Sequence, residues 1–378
     1  METGILKILA TFISVWTILF APVTAFPQSC HNMACIGVIL PLSVHGEFGT
    51  AFMNGIRIAT EPTKAGANDL RFIFEDSAFD SKRAVAGFAR LANQGVHAVY
   101  VLGGPTSEAV APLASRAKLV TLVSSNDPSI AISNPGVLRF ANPASDFGRA
   151  IREELVTRGL FRVALVATEN PYMNSILAAL QTDADSRFSF VELHRGGGDI
   201  ADFRSVVSRL KRMRPDIVGV MLHPGQISQF YRQLAEQRVS VQSFGADALE
   251  SEREVAASGP AIRGAFFVNH DISSSFRAQY TERYGNDDMI AFAAWGHDLA
   301  LILRDALGDN IFRSARPGSH LTTSPDQILS LRARTYQQVQ LALEQDRCYA
   351  GATGEVRYIR TQEGDRYFSF PLTVKTMR

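Results

Sequence analysis

"ILPLSVHGEFGTAFMNGIRIA", residues 39–59, starts as the tail of an apolar run, passes through Pro41, Ser43, His45, Gly46 and Phe48, and ends in an amphipathic stretch. Phe52, Ile56 and Ala59 fall on one face of that stretch, the spacing of a helix seated on a core. A buried strand that empties into a polar, glycine-bearing loop at the start of a helix presents that loop to something outside the sheet.

Outward from this stretch the pattern repeats. Apolar runs at 35–40, 71–75, 97–102 and 119–123 read as buried parallel strands. Between them, residues 82–94 place Val85, Phe88 and Leu91 on one helical face, and residues 107–117 place Val110, Leu113 and Ala114. Strand and helix in alternation predict a doubly wound α/β sheet. The rhythm restarts at 142–155, with Asp146 as the expected N-cap and Phe147, Ile151 and Leu155 as the buried stripe. Strands at 162–167, 189–194, 216–222, 242–246 and 264–269, with helices at 171–182, 201–213 and 226–237, make a second unit of similar size. The last third reads as helices at 274–284, 290–307 and 325–346, with an irregular loop at 309–325. Two alternating strands around Glu363-Gly364-Asp365 close the chain.

The 378 residues suffice for two domains. A formal net charge of +1 gives nucleic acid or an anionic membrane no field to follow. Lys7, the apolar run 8–20 and the small residues Val23 and Ala25 predict a secretory signal peptide cleaved after Ala25. Cys30 follows Phe-Pro-Gln-Ser, a poor context for lipidation, and no later run is long enough to span a bilayer. Export puts Cys30, Cys35 and Cys348 in an oxidising compartment, where two can pair; spacing alone does not choose which.

Ligands of parallel α/β sheets bind outside the carboxyl ends of the strands. The first strand ends in the loop carrying Phe48. The third ends in "GGPTSEA" (103–109), where Thr106 and Ser107 either bind an anion beside helix N–H groups or simply cap the helix. The fourth ends in "SSNDPS" (124–129). In the second unit, strand ends offer Tyr172, His223 and Asp247. Phosphate-loop, dinucleotide-binding and nucleophile-elbow motifs are absent, and no His and acid are placed beside Ser124 or Ser125 as a hydrolase would need.

Three stretches now carry a resemblance: "IGVILPLSVHGEFGTAFMNGIRIA" (36–59), "EDSAFDSKRAVAGFARLANQGVHAVYVLGG" (75–104) and "DFRSVVSRLKRMRPDIV" (202–218), followed by "FYRQLAEQRV" (230–239) and "GATGEVRYI" (351–359). In their order and spacing they resemble the type I periplasmic solute-binding proteins of ABC transporters, in the branched-chain amino-acid receptor group. The resemblance implies two doubly wound α/β lobes joined by three crossing strands, with ligand in the cleft. It predicts one lobe from 34–144 plus 272–345 and the other from 145–271 plus 346–370. It implies that Phe48 lines the cleft and that Thr106 or Ser107 holds the ligand carboxylate. Ser125 and Asn126 would hold carboxylate and ammonium, Tyr172 and His223 would wall the far side, and Asp247 would pair with the ammonium. It further implies a small-molecule ligand, an amino acid or related carboxylate, with an ABC-transporter permease as partner. No catalysis, cofactor or metal is implied, and a periplasmic monomer is expected. Asn126, Met173 and His223 depart from the receptor pattern. A second use of the same fold, as a non-transport sensor or regulator of a cell-envelope enzyme, therefore stays open.

Overall fold

Runs of Val, Ile and Leu without polar alternation can be strands only where both sheet faces are covered. β1 (Cys35–Leu40), β3 (Ala98–Val101) and β4 (Val120–Val123) are buried along their whole length. The computed structural model describes residues 34–61, 70–182, 186–197, 202–308, 336–345 and 348–377. The expected signal peptide, Cys30 and the 309–325 loop lie outside the described residues. Cys35 is disulfide-bonded, and the exposed Cys348 hydrogen-bonds Glu355. Among the described residues no helix is long and apolar enough to cross a membrane.

Two sheets organise the chain. In the first, β1 lies between β2 (Arg71–Asp76) and β3, and β3, β4 and β5 (Val137–Arg139) follow, all parallel. Helices α1 (Gly46–Ala59), α2 (Ser81–Asn93), α3 (Gly104–Ala117) and α4 (Ser129–Ser133) connect its strands, and α10 (Ser274–Tyr284) and α11 (Ile290–Gly308) pack beside α1. The second sheet is built from β7 (Ser189–Gly196), β6 (Arg162–Thr168), β8 (Ile217–Met221), β9 (Gln242–Gly245) and β10 (Phe266–His270), in that order and parallel, with β14 (Leu372–Thr376) at the far edge beside β10. Helices α5 (Ala144–Arg158), α6 (Pro171–Gln181), α7 (Arg204–Met213) and α8 (Gln226–Glu236) clothe it, and the short α9 (Glu252–Ser258) packs on α8. Each lobe has apolar clusters on both faces of its sheet, as a doubly wound fold requires.

The C-terminal strands depart from expectation. β11 (Cys348–Gly351), β12 (Gly354–Arg360) and β13 (Arg366–Ser369) extend the first sheet, where Tyr367 of β13 pairs with Arg139 of β5. The stretch 346–370, expected in the second lobe, therefore pairs in the first. The chain changes sheets at Phe370–Pro371, and β14 (Leu372–Thr376) runs antiparallel to β10. Proline has no N–H for a ladder, so it divides what reads as one strand into two. Asp146 also differs: α5 starts at Ala144 after Pro143, and the Asp146 carboxylate instead accepts from Asn142 Nδ2 at 3.2 Å.

The sheets are joined by three passages, after β5, after β10 and between β13 and β14. Asn142 in the first grips the third: Nδ2 donates to Phe370 O at 3.0 Å, and Oδ1 accepts from Phe370 N at 3.1 Å. The second meets the third where Asp271 N donates to Pro371 O at 3.1 Å.

Candidate functional site in the interlobe cleft

A cavity of about 670 Å³ lies between the lobes, lined by residues at the carboxyl ends of strands from both sheets. On the first lobe Asp76, at the end of β2, sets the geometry. Its carboxylate accepts from Leu42 N at 2.8 Å, Ser43 N at 3.3 Å and Ala78 N at 2.9 Å. Burial pushes this carboxyl up, but hydrogen bonds from Ser43, Leu42 and Ala78 outweigh it and hold the group at about 2. Asp76 thereby ties the β1–α1 loop to the β2–α2 loop. Both loops are strained: His45 (φ 50°), Ala78 (φ 49°) and Phe79 (φ 55°) have left-handed backbone. Strain of this kind gathers at functional sites, and here it brings His45, Phe48 and Phe79 to the cavity wall.

Phe48 lies 4.9 Å, ring centre to ring centre, from Phe292 on α11, and Phe292 lies 5.8 Å from Trp295 one turn later. Trp295 in turn sits 4.8 Å from His270 at the end of β10. Burial, with Lys375 adding to it, lowers the His270 imidazole to about 3, so it is neutral. Among the described residues, buried His270 Nδ1 and Trp295 Nε1 have no hydrogen-bond partner.

Thr106 and Ser107 do not reach the cavity. Both are fully buried. Thr106 Oγ1 donates to the Leu102 and Gly103 carbonyls, at 2.8 Å each, and Ser107 Oγ turns to Val101 O and Ser124 O at 3.4 Å. Gly103, Gly104 and Pro105 line the cavity in their place, so α3 presents backbone rather than hydroxyls. Ser125 and Asn126 do line it. The Asn126 amide, however, donates to Asn142 O at 2.7 Å, on the first passage. Arg139 is fully buried and holds Asp365 in a two-pronged pair, at 3.0 and 2.5 Å. Its Nη1 donates to Ser125 O at 3.0 Å and Ala141 O at 3.4 Å, so this pair positions the cleft loop.

The second lobe contributes an acid and its donor. Asn170 caps α6 by accepting from Met173 N at 2.9 Å, which leaves Tyr172 on the first turn facing the cavity. Tyr172 Oη donates to Asp247 Oδ1 at 3.0 Å. Asp247 follows β9 in a 3-10 turn, deep in the cleft but partly open to it. Burial, opposed by the Tyr172 hydrogen bond and reinforced by Glu250, raises its carboxyl to about 6. Burial and then Asp247 push the Tyr172 hydroxyl well above its ordinary value. His223 lines the same wall, 3.2 Å from Asn170 Nδ2, and burial together with His45 lowers its imidazole. Among the described residues the cavity wall holds Glu108, Asp127 and Asp247 and no Lys or Arg.

Phe48, Ser125, Asn126, Tyr172, His223 and Asp247 thus share one cavity. The sequence reading missed His45, Phe79, Asn170, His270, Phe292 and Trp295. Phe292 and Trp295 had a legible signal: they are the large rings of a helix whose neighbours Ala291, Ala293, Ala294 and Gly296 are small.

Residues 35–360 match the family described as periplasmic binding protein. The chain belongs to the periplasmic binding protein family. Its two α/β lobes have the type I periplasmic binding protein fold. A leucine-binding protein from Thermotoga maritima superposes with a TM-score of 0.75 at 19% identity, covering 92% of this chain and 96% of that one. A branched-chain amino-acid substrate-binding protein from Streptococcus pneumoniae, solved with isoleucine, gives 0.73 at 15% identity, covering 91% and 96%. An ABC-transporter solute-binding protein from R. palustris, solved with 4-hydroxybenzoate, gives 0.72 at 17% identity, covering 91% and 93%. At these identities the likeness is one of fold. No curated protein matches the chain. In this periplasmic binding protein the cleft walls come from strand ends of both sheets, so a bound solute would touch both lobes.

Proposed function

We propose that this chain is an exported receptor that captures a free α-amino acid between its lobes and delivers it to the permease of an ABC transporter. The Tyr172–Asp247 pair carries this reading. A carboxylate deep in a cleft, in a wall without Lys or Arg, calls for a cation from the solute. The solute's own carboxylate faces the first turn of α3 and the Ser125–Asn126 loop, where backbone and amide donors lie. An aryl carboxylate would meet the same first-lobe donors but would bring no ammonium to Asp247. Closure is a hinge motion about the three passages. Two contacts link the lobes beside the site: Glu252 N donates to Asp288 Oδ1 at 3.0 Å, and Ala291 N to Glu250 Oε2 at 3.3 Å.

The test is calorimetry with L-leucine and L-phenylalanine across pH. An ammonium favours ionised Asp247 and draws its carboxyl down from about 6. Binding near pH 6 then releases protons, and affinity weakens as pH falls below 6, by up to about tenfold per unit. Asp247→Ala abolishes measurable binding of both. Affinity that rises on acidification, or survives in the alanine variant, would refute the amino-acid reading; 4-hydroxybenzoate should show the opposite pH slope if it binds at all.

A further inference from the structure

We propose that the solute is an amino acid with an aromatic side chain, its ring lodged against the wall formed by Phe48, Phe292 and Trp295. This rests on the amino-acid reading above and adds the solute's side-chain class.

Three observations carry it. First, the wall is continuous. From Phe79 to Phe48 is 6.2 Å, from Phe48 to Phe292 4.9 Å and from Phe292 to Trp295 5.8 Å, each pair close to edge-on. These are the spacings and tilts at which aromatic rings attract one another, and a ring entering the cavity extends the series. Phe48, Phe292 and Trp295 remain partly open to the cavity, whereas Ala293 and Ala294 on the same helix are buried and do not line it. Helix α11 therefore keeps its small residues for packing and turns its large rings to the cleft. Second, the cavity of about 670 Å³ falls within the range of pockets that enclose drug-sized ligands. That volume admits a ring as readily as a branched chain, so the lining decides, and the lining here is aromatic. Third, Tyr172, which holds the ammonium-seeking Asp247, adds an aromatic ring from the opposite lobe. A ring anchored by its ammonium at Asp247 is thus walled by rings from both lobes.

The experiment measures dissociation constants of L-phenylalanine and L-leucine by calorimetry on the wild type and on a Phe292→Leu/Trp295→Leu double variant, whose fold is checked by circular dichroism. L-phenylalanine should bind at least tenfold more tightly than L-leucine, and the preference should collapse to within about twofold in the double variant. L-leucine binding as tightly as L-phenylalanine would overturn this inference and leave the amino-acid reading standing. A preference that persists in the folded double variant would overturn the assignment to this wall. Binding of neither amino acid, with 4-hydroxybenzoate bound instead, would remove the amino-acid reading and this inference together. If the double variant does not fold, the single Trp295→Phe variant replaces it: keeping a ring there should preserve the preference, and its loss would count against the proposal.

Discussion

Asp247 is ionised at neutral pH in surroundings that oppose its charge. Its folded carboxyl titrates at about 6, above the ordinary 3.8, so the stability it contributes is full below 3.8 and is lost as pH rises through 6. Asp247→Asn should therefore raise the melting temperature of the ligand-free protein at pH 7.5, by a few degrees and at most about 3 kcal/mol. The gain should shrink toward pH 4. The same variant should lose amino-acid binding, because the amide keeps the Tyr172 hydrogen bond without the charge. Differential scanning calorimetry at the two pH values checks this; an unstabilised variant at pH 7.5 would contradict the assigned cost. At this scale a place on the cavity wall was legible for residues just past a strand end, as Ser125 and Asp247 are. The sequence misled at Thr106 and Ser107, because a hydroxyl one turn into a helix can satisfy itself on the carbonyls of the preceding strand. Arg139 carried no such signal: it is buried because its partner Asp365 comes from the far end of the chain.

Helices α1 and α11 bring the aromatic wall together, and they do so by near contact of their backbones. A methyl group on Gly55 would lie 1.7 Å from Ala293 O, and one on Gly296 would lie 2.0 Å from Phe52 O. Neither backbone oxygen can swing aside as a side chain could. Gly296→Ala should therefore force the helices apart, cost about 1–3 kcal/mol or more and weaken solute binding by moving Phe292 and Trp295. Gly46, at the start of α1, has no neighbour within 4 Å, so Gly46→Ala should leave the melting temperature unchanged or raise it slightly. Thermal melts of the two variants side by side test the difference. Hydrophobic period revealed most strands and helices within a few residues, because each buries a face along its whole length. It could not reveal that Pro371 splits the last strand between two sheets, since sheet membership depends on partners elsewhere in the chain.

For the whole molecule, the two-lobed plan was legible in the restart of the strand–helix rhythm, whereas the allotment of 348–369 was not. Those strands join β5 through a single paired residue and the Arg139–Asp365 pair. Removing one member of a buried pair leaves an uncompensated charge, so Asp365→Ala should cost about 3–5 kcal/mol, and Arg139→Met/Asp365→Leu should recover most of it. Chemical denaturation of the three proteins measures this. If the single variant were as stable as the double, the pair would have no part in holding the first lobe's edge.

Arg139 and Asp365 stand 226 positions apart. Synthesis delivers the arginine long before its mate, so the first lobe cannot lock while the second is still being made. The edge of that lobe therefore closes last, once the C-terminal strands have been made and Asp365 can reach the guanidinium that waits for it.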